Sequence, residues 1–155
     1  LGLFCFIWFL SALRQRVSRL ETGDGFLSGL VTIGGAVYAT LTLAAIAVEV
    51  GIRTMSDDTY HHTVYPGLIH AADDAGWVIH ASGAAGLAAM IIAASYAFMA
   101  RGSWPKWAGW LGIVMGVLSI ASIVFFPQFL FLAWILVVSF LMFLRPERYE
   151  PVTTM

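Results

Sequence analysis

Apolar and polar positions fall into long blocks along this chain rather than into a fine alternation. Leu1 to Leu13 carries no charge, and Arg14, Arg16 and Arg19 follow it. Residues 26–50 form a block that only Glu49 interrupts, near its far end, and residues 76–100 form another with His80 near its start. Residues 107–144 run for thirty-eight positions without a charge. Blocks of this kind mark helices that cross a bilayer, whose hydrocarbon core of about 30 Å takes about 20 residues. The last block as one helix would reach about 57 Å, too long for one crossing. Phe125-Phe126-Pro127-Gln128 divides it, because Pro127 lacks a backbone donor and disfavours helix just before it. The pattern therefore predicts an all-α fold: a polytopic transmembrane helix bundle with four full spans at 26–50, 76–100, 107–125 and 128–144. A partial span precedes them, since the first block is about 20 Å long and too short to cross. Its basic cluster follows the apolar stretch, the reverse of a signal peptide, so it reads as the second half of a membrane helix begun before Leu1.

Charge orients these spans. Seven of the eight basic residues lie in three groups: Arg14, Arg16 and Arg19; Arg101 and Lys106; Arg145 and Arg148. With two helices in 107–144 all three groups share one side of the membrane, the cytoplasmic side by the positive-inside rule. Residues 51–75 are then an outer loop and 145–155 a cytoplasmic tail, in a multi-pass protein of the inner (plasma) membrane. Beyond the first block, Leu10, Leu13, Val17 and Leu20 repeat at helical spacing, which predicts a helix running on along the membrane interface through residue 20. Glu21-Thr22-Gly23-Asp24-Gly25 ends it, and Asp24 has the chemistry of an N-cap for the next helix. Trp104, Trp107 and Trp110 beside Lys106 form an aromatic belt.

Composition agrees: 60% of the 155 residues are hydrophobic and 11% charged, against about 25% charged in soluble domains. Mean hydropathy is +0.86. A net charge of −1 with no basic stripe argues against nucleic acid as a partner, and a single cysteine, Cys5, permits no internal disulfide and reads as a packing residue. Membrane helices associate through small residues and polar contacts, because lipid is as apolar as leucine. Ala81, Ala85, Ala89, Ala93 and Ala97 recur every four residues on one helix; Gly112 and Gly116, extended by Ser119, make a GxxxG face on the next. Ser28, Thr32, Ala36, Thr40 and Ala44 run similarly along the 26–50 span. These faces either build the protein's own bundle or dock another membrane protein.

Candidate chemistry is sparse. The outer loop holds Asp57, Asp58, Tyr60, His61, His62, Tyr65, His70, Asp73 and Asp74. On a helix His70 and Asp74 would share a face with Trp77, with Asp73 adjoining. Imidazole and carboxylate suit zinc or copper, but no HExxH, cysteine ligand or tight His-x-His spacing is present, and solvated side chains account for the loop equally. No metal or cofactor is expected. His80, about one turn inside the membrane, has no second intramembrane histidine to make a haem ligand pair. Its possible partner is Glu49, at similar depth, although Arg53 four residues on offers Glu49 a helix-surface ion pair. No nucleophile–base pair or phosphate loop is present, so the expected protein is not an enzyme.

Three stretches carry a resemblance: Leu3-Phe4-Cys5-Phe6-Ile7-Trp8-Phe9-Leu10-Ser11-Ala12-Leu13-Arg14, Glu21-Thr22-Gly23-Asp24-Gly25, and Ser103-Trp104-Pro105-Lys106-Trp107-Ala108-Gly109-Trp110-Leu111-Gly112. Together they resemble multi-spanning integral membrane proteins of actinobacteria, mycobacterial in type. The resemblance implies a further N-terminal helix and no activity, and it carries over no active-site residue. The expected function is that of a non-enzymatic accessory or stabilising subunit of a larger membrane complex. A lipid-import or cell-envelope transport assembly is the host that the resemblance suggests, with membrane lipids as surroundings. The alternative is a small lipid or ion transporter acting alone or as a homo-oligomer.

Overall fold

The computed structural model describes residues 2–55, 65–102, 105–120 and 127–144, and side chains in the last stretch from 131 onward. Among the described residues every regular element is an α-helix: α1 Gly2–Leu20, α2 Phe26–Met55, α3 Pro66–Ser82, α4 Ala84–Ala100, α5 Lys106–Ile120 and α6 Pro127–Leu144. α3 and α4 form one helical stretch, Pro66–Ala100, interrupted at Gly83. Asp57, Asp58, Tyr60, His61, His62, Trp104, the Phe125-Phe126 junction, Arg145, Arg148 and the tail lie outside the described residues.

Contacts fix the directions of the helices. Phe6 and Leu10 of α1 meet Tyr38 and Gly35 of α2, so these two run antiparallel. Gly34 meets Gly86, and Ala45 and Glu49 meet Gly76, so the α3–α4 stretch runs antiparallel to α2. Gly109, Gly112 and Gly116 of α5 meet Met99, Ser95 and Ile92 of α4 in reverse order. Phe6–Phe131 and Phe9–Trp134 set α6 parallel to α1. The carboxyl ends of α1, α4 and α6 and the amino ends of α2 and α5 therefore gather at one end of the bundle. Two arginines tie that end together: Arg16 Nη1 donates to the Met142 carbonyl at 3.0 Å, and Arg101 Nε donates to the Leu20 carbonyl at 2.8 Å. Each satisfies a carbonyl that the end of a helix leaves without an intrahelical partner.

Glycine sets how closely the helices approach. A methyl group at Gly34 would run into the Gly86 carbonyl oxygen and stand 3.0 Å from the Met90 nitrogen; one at Gly86 would stand 2.6 Å from the Gly34 carbonyl oxygen. The backbones of α2 and α4 thus touch, the contact that small residues permit between membrane helices. Around it lie the buried Val31, Leu87, Met90, Ile91, Ala94 and Phe98.

Several expectations change. Among the described residues two helices, Phe26–Met55 and Pro66–Ala100, are long and apolar enough to cross a membrane. Among the described residues α5 and α6 are shorter apolar helices, so four full spans are not shown. The 51–75 segment is not all loop, because α2 continues to Met55 and α3 begins at Pro66. Proline fits the first helical turn, and Tyr65 before it is extended at φ −61°, ψ 124°. The Leu10, Leu13, Val17 and Leu20 face is not spread on an interface: Leu13 and Val17 are fully buried, with Leu10 and Leu20 against the same core. Asp24 does not cap α2. Glu21 does, accepting from the Leu27 amide at 2.6 Å and the Ser28 amide at 3.2 Å across a turn that Gly25 makes at φ +77°. Cys5 is exposed, not packed.

Candidate functional site

On α2, Tyr38, Thr42, Ala45 and Glu49 stand at spacings of four, three and four, and so share the face turned to α3. From α3, His80 enters this strip. Its Nδ1 lies 3.4 Å from Thr42 Oγ1, a long hydrogen bond whose donor depends on the imidazole tautomer. The Tyr38 ring meets the His80 ring edge-on at 5.9 Å, and Trp77, one turn before His80, lies 6.4 Å from it. Thr42 stands one turn after Tyr38 on the same face of α2. Glu49 packs against the bare backbone of Gly76, where a methyl group would stand 3.1 Å from its Cγ, and its carboxylate interacts electrostatically with His80. All four polar side chains are half-buried.

The structure thus brings Glu49 and His80 together and adds Tyr38 and Thr42, whose signal in the sequence is their helical register with Glu49. Arg53 stands exposed in the last turn of α2, beyond this strip. A chain of phenol, hydroxyl, imidazole and carboxylate can hold a proton or orient a polar group. The Tyr38 ring is in turn fixed by Phe131 at 5.4 Å and Phe6 at 5.6 Å, which closes the basic-end side of the strip with aromatic surface.

His70, Asp73 and Asp74 are all exposed on α3, and Trp77 on the same helix is half-buried. Among the described residues no three His, Cys, Asp or Glu side chains converge where a metal could sit.

The small-residue candidates divide. Gly112 and Gly116 face α4: a methyl at Gly116 would stand 2.6 Å from Ile92 Cγ1, and one at Gly112 would run into the Ser95 hydroxyl and stand 2.9 Å from Trp134 Nε1. Gly112 is the gap through which the α6 indole reaches toward α4. Ser95 Oγ and Trp134 Nε1, both buried there, have no hydrogen-bond partner among the described residues. On α4, Ala93 and Ala97 are buried, Ala89 is intermediate and Ala85 is exposed, while Ala81, near the end of α3, is intermediate. On α2, Ser28 is buried and Thr32 half-buried, while Ala36, Thr40 and Ala44 face outward. The inner face of α2 is instead Val31, Gly34, Gly35, Ala39 and Ala45. No protein-family model, no curated protein and no solved structure matches the chain.

Proposed function

We propose that the chain is a multi-pass membrane bundle and a non-enzymatic accessory subunit that stabilises a larger membrane complex. In this reading α2, the α3–α4 stretch, α5 and α6 all cross the bilayer, the short helices by local thinning or tilt of their neighbours. The basic end faces the cytoplasm, as the positive-inside rule requires of Arg14, Arg16, Arg19, Arg101 and Lys106. The resemblance to actinobacterial membrane proteins points to a lipid-import or cell-envelope transport assembly as host.

One observation carries the reading: α2 has a small-residue face that the packing among the described residues leaves exposed. Ala36, Thr40 and Ala44 lie exposed along α2, among exposed Ile33, Val37 and Leu43. A four-residue repeat of small side chains lets another helix approach closely, which bulky lipid-facing residues prevent. Pull-down of the tagged, chromosomally expressed protein in mild detergent, with mass spectrometry and native-gel sizing, tests it. A stoichiometric large partner is expected, and A36L/T40L/A44L should release it without unfolding the bundle. A lone, monodisperse protein would overturn the proposal.

The Tyr38, Thr42, His80 and Glu49 strip favours a second reading, a small lipid or ion transporter acting alone or as a homo-oligomer. Polar groups at membrane depth are costly and concentrate where something polar is handled. Flux unchanged by Glu49→Gln and His80→Asn in reconstituted vesicles would end that reading.

A further inference from the structure

The outward side of α1 carries a groove at its basic end. Two adjoining cavities, about 700 Å³ and about 240 Å³, share Ala12, Gln15 and Arg19 as walls. The larger is bounded by Trp8 at one end and by Arg14, Ser18 and Arg19 at the other; the smaller reaches Arg16 and Met142 of α6. We propose that this groove binds the headgroup of an anionic phospholipid from the leaflet at the basic end of the bundle. The proposal rests on the membrane reading above and adds to it a specific lipid site.

Three features point to that ligand. The first is charge: Arg14, Arg16 and Arg19 line the two cavities. Guanidinium is the side chain best matched to a phosphate, because its planar fork of donors meets two oxygens together. The second is rigidity. Arg16 is bonded to the Met142 carbonyl, which ties α1 to α6, and Leu13 and Val17 on the opposite face of α1 are fully buried. The helix presenting the arginines therefore cannot roll. The third is depth. Trp8, 68% exposed, stands six residues from Arg14 toward the middle of the bundle, about 9 Å along the helix. An indole at that height lies beside the glycerol and upper acyl chains of a lipid whose phosphate is level with Arg14. A free phosphate would use the arginines and leave the apolar half of the groove empty, so the lipid is the ligand that fills it.

The test uses the full chain reconstituted into phosphatidylcholine vesicles with and without a minor fraction of phosphatidylglycerol. Lipid retention is read by native mass spectrometry and thermal stability in parallel. Phosphatidylglycerol should be retained in preference and should raise the melting temperature. Arg14→Gln with Arg19→Gln should weaken its retention by about thirtyfold, from the usual contribution of each basic residue near an anionic surface. Incorporation into vesicles should be unchanged, because Arg16 and the buried face of α1 are untouched. Equal retention of the two lipids, retention indifferent to the double substitution, or full displacement by inorganic phosphate would each overturn the lipid site and leave the membrane reading standing. A chain that fails to incorporate into either vesicle would instead overturn the membrane reading and the site with it.

Discussion

α3 and α4 are halves of one helical stretch, yet the bundle treats them differently. Eleven of the seventeen residues of α4 are buried against two of seventeen in α3, and the division falls at Gly83. The cause is the number of neighbours. α4 lies among α1, α2 and α5, so almost every direction around it is occupied. α3 has α2 beside it and little else. Its one packed line, Ala72 and Gly76, is flanked by exposed His70, Asp73 and Asp74. The half with many neighbours is built largely of Ala, with Gly, Leu, Met, Ile and Phe filling the gaps, and holds the molecule together. The half with one neighbour keeps the polar groups and the access to them.

The largest effect should come from crowding the α2–α4 contact. Gly34→Ala and Gly86→Ala each place a methyl against main-chain atoms of the facing helix, which cannot rotate away. Each should cost about 1–3 kcal/mol, the range for overpacking a close-packed interior. Gly29→Ala, on the same helix with nothing within 4 Å, is the control. Thermal melts of the detergent-purified variants decide it: a Gly34 variant as stable as the Gly29 variant would mean that this backbone contact does not hold the helices.

Gly76→Ala makes the matching change in α3 and should be milder, below about 1 kcal/mol, because its methyl meets the Glu49 Cγ, part of a side chain that can turn. Its consequence should appear instead at the polar strip, where the displaced carboxylate changes the NMR shift of the His80 ring. A melting temperature that falls as far as for Gly34→Ala would remove the distinction between the two halves.

Much of the contrast was written in the sequence, and some of it could not be. The uncharged blocks and the clustering of arginines follow from composition along the chain; each described helix holds part of a block, but α1, α2 and α3 run past the block boundaries. Gly112 and Gly116 were legible because a GxxxG pair marks close approach wherever it lands. Which side of α2 faces inward was not legible. In a helix apolar on all sides the hydrophobic period vanishes, so Ser28, Thr32, Ala36, Thr40 and Ala44 looked as good as Val31, Gly34, Gly35, Ala39 and Ala45. The distinguishing detail was glycine itself: Gly34 allows a backbone contact that alanine does not. The helical part of the outer segment carried its signal in Pro66, which can open a helix as well as break one. Asp24 and Glu21 could not be ranked as caps, since the answer depends on the left-handed turn at Gly25, through which the chain curls back over the longer side chain.

The smallest effect concerns how the two stretches begin, and it is a pH effect. α3 opens on Pro66 with no side-chain cap, whereas α2 opens under the Glu21 carboxylate. Desolvation works to raise the Glu21 carboxyl, but hydrogen bonds from the Leu27 and Ser28 amides and the Ser28 side chain outweigh it and hold it below its ordinary 4.5. A carboxyl lowered on folding stabilises the fold in full above its unfolded value, and that stability is lost as pH falls through the folded one. Melting temperature should therefore drop more steeply below about pH 4.5 in the parent chain than in Glu21→Gln, whose amide cannot titrate. Asp24→Asn should leave the parent slope unchanged, because Asp24 does not hold the helix start. Equal slopes for the parent chain and Glu21→Gln would show that the charge on Glu21 does not matter there. The start of α2 would then rest, like that of α3, on backbone geometry alone.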